Sequence, residues 1–175
     1  MADHQEIDAL GQDFDLSTPA GYGAFLMAHA AVLPGLEDAV SHGPVPPDWP
    51  MRLRSQDLAA DLFGMGLALP AQTAALDLPS AGMRIGALYV LEGSRLGGAV
   101  LRRRVQAAQP GAPCAFLAHG AEARLWPSFV GWLDSLVLDE EELDKAAHGA
   151  RSVFSVFYET LRSWRPKRLE GAQGA

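Results

Sequence analysis

Three glycines and a serine, Gly93, Ser94, Gly97 and Gly98, lie close together in the segment LYVLEGSRLGG, which covers residues 88–98. The apolar residues around them recur at helical spacing, yet each glycine inside a helix costs roughly 0.8–1 kcal/mol relative to alanine. Close packing of two helices is one explanation for such glycines. A bent backbone against which a flat ligand lies without an intervening Cβ is another, and the clustering around Ser94 favours it. The pattern therefore predicts one wall of a site for a large planar cofactor.

The remaining side chains with suitable chemistry are histidines and one cysteine. His4 stands near the start of the chain, and Asp8 follows one turn later, where a carboxylate can orient a ligating imidazole through its second N–H. By itself, His4 would be read as a solvated residue at a helix start. His29 lies in an apolar stripe, and we interpret it as a hydrogen-bonded core residue. Cys114 has no neighbouring base and is not expected to act as a nucleophile.

The elements that must position these residues are helices separated by strong breakers. Helices are predicted at about residues 2–11, from Pro19 onward, from Ser55 to about 65, from Ser80 through the glycines, at about 120–136, and from Asp139 to about Trp164. Thr18, Ser55, Ser80 and Asp139 are the predicted N-caps. Pro34 is expected to kink or end its helix early, and residues 42–50, HGPVPPDWP, are predicted to form a loop.

No segment alternates apolar and polar residues with a period of two over a strand length. We therefore predict a single all-α domain of about six or seven helices. Residues 1–165 are assigned to this domain, and residues 166–175 to a polar C-terminal tail.

Composition excludes several classes of protein. The 175 residues are 49% hydrophobic, which is enough for one domain with a real core. A formal net charge of −7 argues against a general nucleic-acid-binding protein. The one cysteine excludes an internal disulfide. No apolar run approaches the roughly 20 residues of a membrane span, and the start of the chain is polar, so we expect a cytoplasmic protein with no membrane partner.

The segment LYVLEGSRLGG resembles the distal-helix motif of the heme oxygenases, in particular bacterial ones of the type found beside bacteriophytochromes. In that family a kinked, glycine-rich helix lies over the heme face where oxygen binds. The resemblance extends over nearly the whole chain. DHQEID resembles the segment around the proximal histidine, GYGAFLMAHAAVLPGLEDAV the second helix, and LWPSFVGWLD and ARSVFSVFYETL the last helices. The resemblance as a whole implies a heme-oxygenase-like helical bundle.

The resemblance also implies roles for individual residues. His4 would be the axial iron ligand, and Gly93, Ser94, Gly97 and Gly98 would form the catalytic distal wall. Tyr89 would contact a heme propionate, and Phe154 would form the apolar back of the pocket. The chain departs from the family pattern at three points. His4 is unusually near the chain start, Ser94 replaces the aspartate of mammalian enzymes, and no basic residue clearly matches the family's propionate partners. Arg95, Arg124 and Arg151 are possible substitutes.

The function implied by this resemblance is oxygen- and reductant-dependent opening of heme to biliverdin, with release of CO and ferrous iron. Heme would be both substrate and cofactor, an external donor such as a ferredoxin or reductase would supply electrons, and a bacteriophytochrome is a possible recipient of the biliverdin. A non-catalytic heme- or bilin-binding protein of the same fold is the alternative. A thiaminase-like helical enzyme is a weaker third reading, because it needs a positioned cysteine nucleophile.

Overall fold

The structure is a computed structural model that describes residues 14–73, 76–120 and 124–164. Over these residues the chain is helical, with no strand. The described residues form seven α-helices: α1 Pro19–Ser41, α2 Ser55–Gly64, α3 Ala81–Gly93, α4 Gly98–Ala108, α5 Ala115–Ala118, α6 Leu125–Asp134 and α7 Glu140–Trp164. Two 3-10 helices, Trp49–Arg52 and Ser94–Gly97, lie between them. The prediction of an all-α domain is confirmed. The predicted first helix, His4, and the predicted tail lie outside the described residues.

Several helix boundaries follow from local capping, as predicted. The Thr18 side chain accepts a hydrogen bond from the Gly21 amide at 3.1 Å, and Pro19 occupies the first helical position of α1. Ser80 accepts from the Met83 amide at 3.2 Å at the start of α3. Asp139 accepts from the Glu142 amide at 2.8 Å at the start of α7.

Other boundary predictions are wrong. Ser55 is not a cap, because it lies within α2 and its hydroxyl donates to the buried Glu37 carboxylate. Gly120 adopts a left-handed φ of 72°, which side-chain-bearing residues rarely adopt, and α6 begins only at Leu125. The predicted loop at residues 42–50 ends in the first 3-10 helix, which begins at Trp49.

Pro34 does not end α1, which continues to Ser41. A proline has no N–H to donate to the carbonyl one turn earlier, and its ring crowds the carbonyls there. The residues that follow α2 compensate for this loss. Gln72 Nε2 donates to the Ala30 carbonyl at 2.9 Å, and the Thr73 amide donates to the Ala31 carbonyl at 2.8 Å. The carbonyls freed by proline are therefore satisfied from another part of the chain.

Helices α3 and α7 approach each other closely enough that only glycine fits at the crossing. A Cβ at Gly86 would overlap the Ala146 carbonyl, and one at Gly149 would overlap the Met83 carbonyl. This packing fixes α3 along the long terminal helix. The core beside it is built largely from α1, whose buried side chains include Tyr22, Leu26, Leu33 and Val40.

Candidate functional site

The glycine-bearing helix is interrupted where the sequence predicted a bend. α3 ends at Gly93, Ser94–Gly97 form the second 3-10 helix, and α4 begins at Gly98. The Leu91 carbonyl, just before the interruption, accepts hydrogen bonds from Ser94 Oγ at 2.7 Å and from Arg54 Nη2 at 3.1 Å. Side chains therefore supply donors to a carbonyl at the point where the α-helix changes to a 3-10 helix. We call residues 93–97 the kink.

The three predicted wall glycines have different surroundings. A Cβ on Gly97 would meet nothing within 4 Å, and one on Gly93 would lie 3.7 Å from the Trp126 ring. A Cβ on Gly98 would instead lie 2.8 Å from the Leu117 carbonyl oxygen of α5. Gly93 and Gly97 therefore leave an open surface, whereas Gly98 allows α4 to pack against α5.

Large apolar side chains are exposed on α3, the kink and α4. Tyr89 is 49% exposed, Leu96 60% and Val100 50%. The Tyr89 ring meets the Trp126 ring of α6 edge-on, with centroids 5.5 Å apart. A contiguous patch of exposed apolar side chains is typical of a binding surface, whereas single exposed apolar residues are ordinary. We call the surface of Tyr89, Gly93, Leu96, Gly97 and Val100 the kink face.

An open apolar cleft begins beside the kink face. It has a volume of about 580 Å³ and lies between α3, α6 and α7. Its lining includes Ile85, Tyr89, Leu133, Leu143, Ala147 and Ala150. Leu143 of this lining is 53% exposed. The volume lies within the roughly 300–1,000 Å³ typical of small-molecule sites.

Ser94 is held by two hydrogen bonds at the kink. Its hydroxyl donates to the Leu91 carbonyl at 2.7 Å and accepts from Arg54 Nη2 at 2.8 Å. The hydroxyl proton is therefore used in the hydrogen bond to the Leu91 carbonyl. The remaining lone pair on the oxygen is the part of Ser94 that can accept a hydrogen bond from water.

A cluster of buried charges supports the kink from behind. Arg52 is 1% exposed, and its Nη1 donates to Glu92 Oε2 at 2.5 Å. Arg52 also pairs with Asp48 at 2.7 Å. Burial opposes charge on Arg52, but Asp48 and Glu92 outweigh it and raise the pKa of the guanidinium. Arg95 Nη2 donates to the other Glu92 oxygen at 2.7 Å and also to the Arg52 carbonyl.

Arg54 is the second buried arginine that reaches the kink, and it is 6% exposed. Its guanidinium lies over the Phe116 ring, 5.3 Å from the centroid. Burial, together with repulsion from Arg95, lowers its pKa to about 10, so the side chain stays cationic at neutral pH. Its Nε atom has no hydrogen-bond partner among the described residues.

His29 has the surroundings expected of a core histidine. Its Nδ1 lies 2.8 Å from the Phe25 carbonyl, and because a carbonyl only accepts, the proton must be on Nδ1. The ring is enclosed by Phe25, Phe116 and Phe157. Burial lowers the pKa of His29 to about 4. His29 is therefore neutral at pH 7.

The remaining residues named from the sequence lie in different parts of the structure. Phe154 lies on α7, half-buried against the core. Of the three arginines considered for propionates, Arg95 is engaged by Glu92, whereas Arg124 and Arg151 are exposed. Cys114 is buried, and burial raises the pKa of its thiol, which agrees with a non-nucleophilic role.

Sequence reasoning did not identify the buried arginines, Glu92 or Trp126 as parts of the site. Trp126 lies within the recognised segment LWPSFVGWLD, so its aromatic type was the available signal. Arg52 and Glu92 are separated by 40 residues, and no local pattern links them. Across the described residues no group of three or more histidine, cysteine or acidic side chains could hold a metal ion. No helix of the described part is long and apolar enough to cross a membrane.

Comparison with known proteins identifies the family. The heme oxygenase family model matches residues 73–163. A heme oxygenase from Xanthomonas campestris is 32% identical over 164 residues, which are 89% of this chain and 96% of that relative. The chain belongs to the heme oxygenase family. The heme oxygenase PigA of Pseudomonas aeruginosa is 36% identical over 119 residues, which are 63% of this chain and 59% of PigA.

The fold agrees with this assignment. The crystal structures of the NO- and CO-bound heme oxygenase from Neisseria meningitidis include a chain that matches with a TM-score of 0.73. The match covers 95% of the present chain and 92% of the Neisseria chain, at 23% sequence identity. The all-α architecture is thus that of a heme oxygenase.

Proposed function

We propose that this protein opens heme to biliverdin, with release of CO and ferrous iron, using oxygen and electrons from an external donor. Membership of the heme oxygenase family and the heme oxygenase names of both sequence relatives support heme degradation rather than passive heme or bilin binding. The kink face is the part of the molecule that carries the proposal.

The kink face fits the requirements of a flat apolar ligand. Gly97 has open space where a Cβ would stand, and Gly93 has only the Trp126 ring nearby, so a planar ring system can approach the backbone closely. Tyr89, Leu96 and Val100 present apolar surface beside them. In this proposal Tyr89 contacts a heme propionate and Phe154 closes the apolar back of the pocket.

His4 is our proposed axial ligand, and it lies outside the described residues. The histidines of the described part support this choice because each has other surroundings. Both ring nitrogens of His119 are hydrogen-bonded, one to Asp57 at 2.7 Å and the other to the Met51 carbonyl at 3.1 Å. His29 is bonded through Nδ1, and His42, which directly follows α1, lies 3.6 Å from Asp38. His148 is exposed on α7.

When bound, heme supplies the iron centre that activates oxygen for oxidation of the porphyrin ring itself. The chain contributes a backbone wall at Gly93 and Gly97 and a hydroxyl oxygen at Ser94 that can hold water. Glu92 is the carboxylate nearest in sequence to the wall, but it is fully buried and paired with Arg52 and Arg95. The kink therefore offers no strong acid to promote peroxidase-type cleavage of the O–O bond. The lack of such an acid favours oxidation of the porphyrin ring.

The electron donor, the recipient of the product and the location of the protein are further parts of the proposal. A ferredoxin or a reductase is the proposed donor, and a bacteriophytochrome is the proposed biliverdin recipient. A cytoplasmic location fits a reaction that consumes reducing equivalents. The proposed helical domain occupies residues 1–165, followed by the polar tail.

A single aerobic turnover tests the proposed function. Heme bound to the protein is reduced in air with catalase present, and we expect loss of the Soret band with formation of biliverdin and CO. Catalase removes free peroxide, so the product reports the enzyme-bound reaction. The His4→Ala variant is expected to change the heme spectrum strongly, with partial recovery on addition of imidazole. Stable heme and no bilin after prolonged reduction would identify a passive binding protein instead.

A further inference from the structure

A group of buried charged side chains connects the kink to two other elements of the chain. Arg52 stands at the end of the first 3-10 helix, Glu92 in the last turn of α3 and Arg95 within the kink. Their side chains are 0%, 0% and 9% exposed, respectively. We call these three residues the kink clamp.

The kink clamp also holds the beginning of α6. Arg52 Nη1 donates to the Leu125 carbonyl at 3.1 Å, and Arg52 Nη2 donates to Ser128 Oγ at 2.6 Å. Leu125 and Ser128 flank Trp126, whose ring borders the kink face at Gly93. One guanidinium therefore ties the kink to the element that carries the aromatic edge of the cleft.

The connection within the kink runs through Arg95. Its Nε and Nη2 donate to the same Glu92 oxygen at 3.0 and 2.7 Å, and Nη2 also donates to the Arg52 carbonyl. All three hydrogen bonds are directional, and the two to Glu92 act between charged groups, so they restrict the kink more closely than apolar contacts would. A buried ion pair is often no more stabilising than well-packed apolar residues. Its value here would lie in fixing a geometry.

We propose that the kink clamp is a positioning device that sets how closely Gly93–Gly97 approach the bound heme and thereby selects which meso carbon is oxidised. This inference rests on the proposed function. Arg52, Glu92 and Arg95 touch neither substrate nor reacting atoms in this account, since all three act through the backbone of the kink.

The test compares Arg95→Met with Arg95→Lys in the full chain. Methionine keeps the apolar stem but removes every donor, whereas lysine keeps the positive charge and restores part of the hydrogen bonding to Glu92. In the protein without heme, we expect amide hydrogen exchange in residues 94–97 of Arg95→Met to accelerate by at least about tenfold, because charge-assisted hydrogen bonds are lost. In single turnover, we expect the ratio of biliverdin isomers to change. Arg95→Lys should recover part of both effects.

Two further variants complete the design. Ser128→Ala removes one anchor of Arg52 and leaves all charges paired, so it should fold and shift the isomer ratio in the same direction by less. Gln109→Leu is the control, because it removes one side-chain hydrogen bond, from Nε2 to the Leu16 carbonyl at 2.8 Å, at the end of α4 opposite to the kink. Its isomer ratio should equal that of the wild type.

The outcomes separate this inference from the proposed function. Biliverdin formation with unchanged isomer ratios in Arg95→Met and Ser128→Ala would overturn the positioning role and leave the proposed function intact. Unchanged hydrogen exchange at the kink in Arg95→Met would also overturn it, and this result needs no turnover. If the wild type forms no bilin, the proposed function fails, and with it the inference about the meso carbon.

Discussion

At the scale of single residues, Gly97 and Gly98 show how neighbouring glycines serve different purposes. Gly97 borders open space, whereas Gly98 is buried against the Leu117 carbonyl. The backbone at both positions is right-handed, with φ of −77° at Gly97 and −55° at Gly98, so alanine is tolerated conformationally at each. Substitution therefore tests the surroundings of each residue and not its backbone strain.

We expect Gly97→Ala and Gly98→Ala to have opposite effects on the free energy of unfolding without heme. Gly97→Ala should stabilise the protein by up to about 1 kcal/mol, because alanine favours helical backbone more than glycine does and its Cβ would meet no atom within 4 Å. Gly98→Ala should destabilise by about 1–3 kcal/mol, because the Cβ lies too near a backbone oxygen. Urea denaturation measures both.

Heme titration of the same pair provides the complementary measurement. Gly97→Ala is expected to weaken heme binding although the protein is more stable, because the Cβ stands on the kink face. Equal effects of the two substitutions on stability would contradict the different surroundings assigned to them.

At the scale of elements, the continuity of α1 through Pro34 depends on the segment after α2. Gln72 and Thr73 supply donors to the Ala30 and Ala31 carbonyls, and Thr73 Oγ1 adds a further bond to Ala31 at 3.1 Å. A helix with an internal proline normally loses about 3 kcal/mol or more. Donors supplied by another segment offset part of this cost and tie that segment to the central helix.

A double-mutant cycle between Gln72 and Pro34 tests this explanation. We expect Gln72→Leu alone to destabilise by about 1–2 kcal/mol, because it leaves the Ala30 carbonyl without its donor. In a Pro34→Ala background the cost should be much smaller, since the amide of the new alanine donates to Ala30. Thermal or urea unfolding of the four proteins gives the coupling energy. Additive effects would mean that Gln72 does not compensate for the proline.

At the scale of the whole molecule, titratable groups are buried within an α-helical core. Arg52, Arg54, Glu37, Asp61 and Glu92 are each at most 6% exposed. Each is held by partners from distant parts of the chain, such as Asp61, which accepts from the amides of Ala115 and Phe116. His29 differs from these residues because it is kept neutral by its aromatic surroundings.

The neutral state of His29 predicts how the stability of the protein depends on pH. Its pKa is about 4 in the folded state, against about 6.5 in the unfolded chain, so the unfolded state binds the extra proton between these values. The contribution of neutral His29 to the free energy of unfolding is therefore present above about pH 6.5, and it is lost as the pH falls toward 4. From pH 7 to pH 5 we expect a loss of about 1–2 kcal/mol from this residue.

The measurement compares urea unfolding of the wild type and His29→Phe at pH 7 and pH 5. Phenylalanine suits the aromatic surroundings and cannot titrate. The fall in stability between the two pH values should be smaller in the variant by about the loss attributed to His29. An identical fall in both proteins would show that His29 is not held neutral by burial.

The sequence alone determined the class of the fold, most of the helices and the family. Thr18, Ser80 and Asp139 cap their helices because a cap is a contact between residues two or three positions apart, which sequence spacing displays directly. The glycine motif likewise predicted the interrupted helix, since glycine has an intrinsic cost in a helix.

Only the tertiary structure decided how α1 passes Pro34, which glycine faces open space, and that Arg52 and Glu92 form a buried pair. Each of these depends on residues that are distant in the chain. Gln72 lies 42 residues from Ala30, and Glu92 lies 40 from Arg52. Whether a buried charge or a freed carbonyl is satisfied depends on what folding brings beside it, and local patterns do not contain that information.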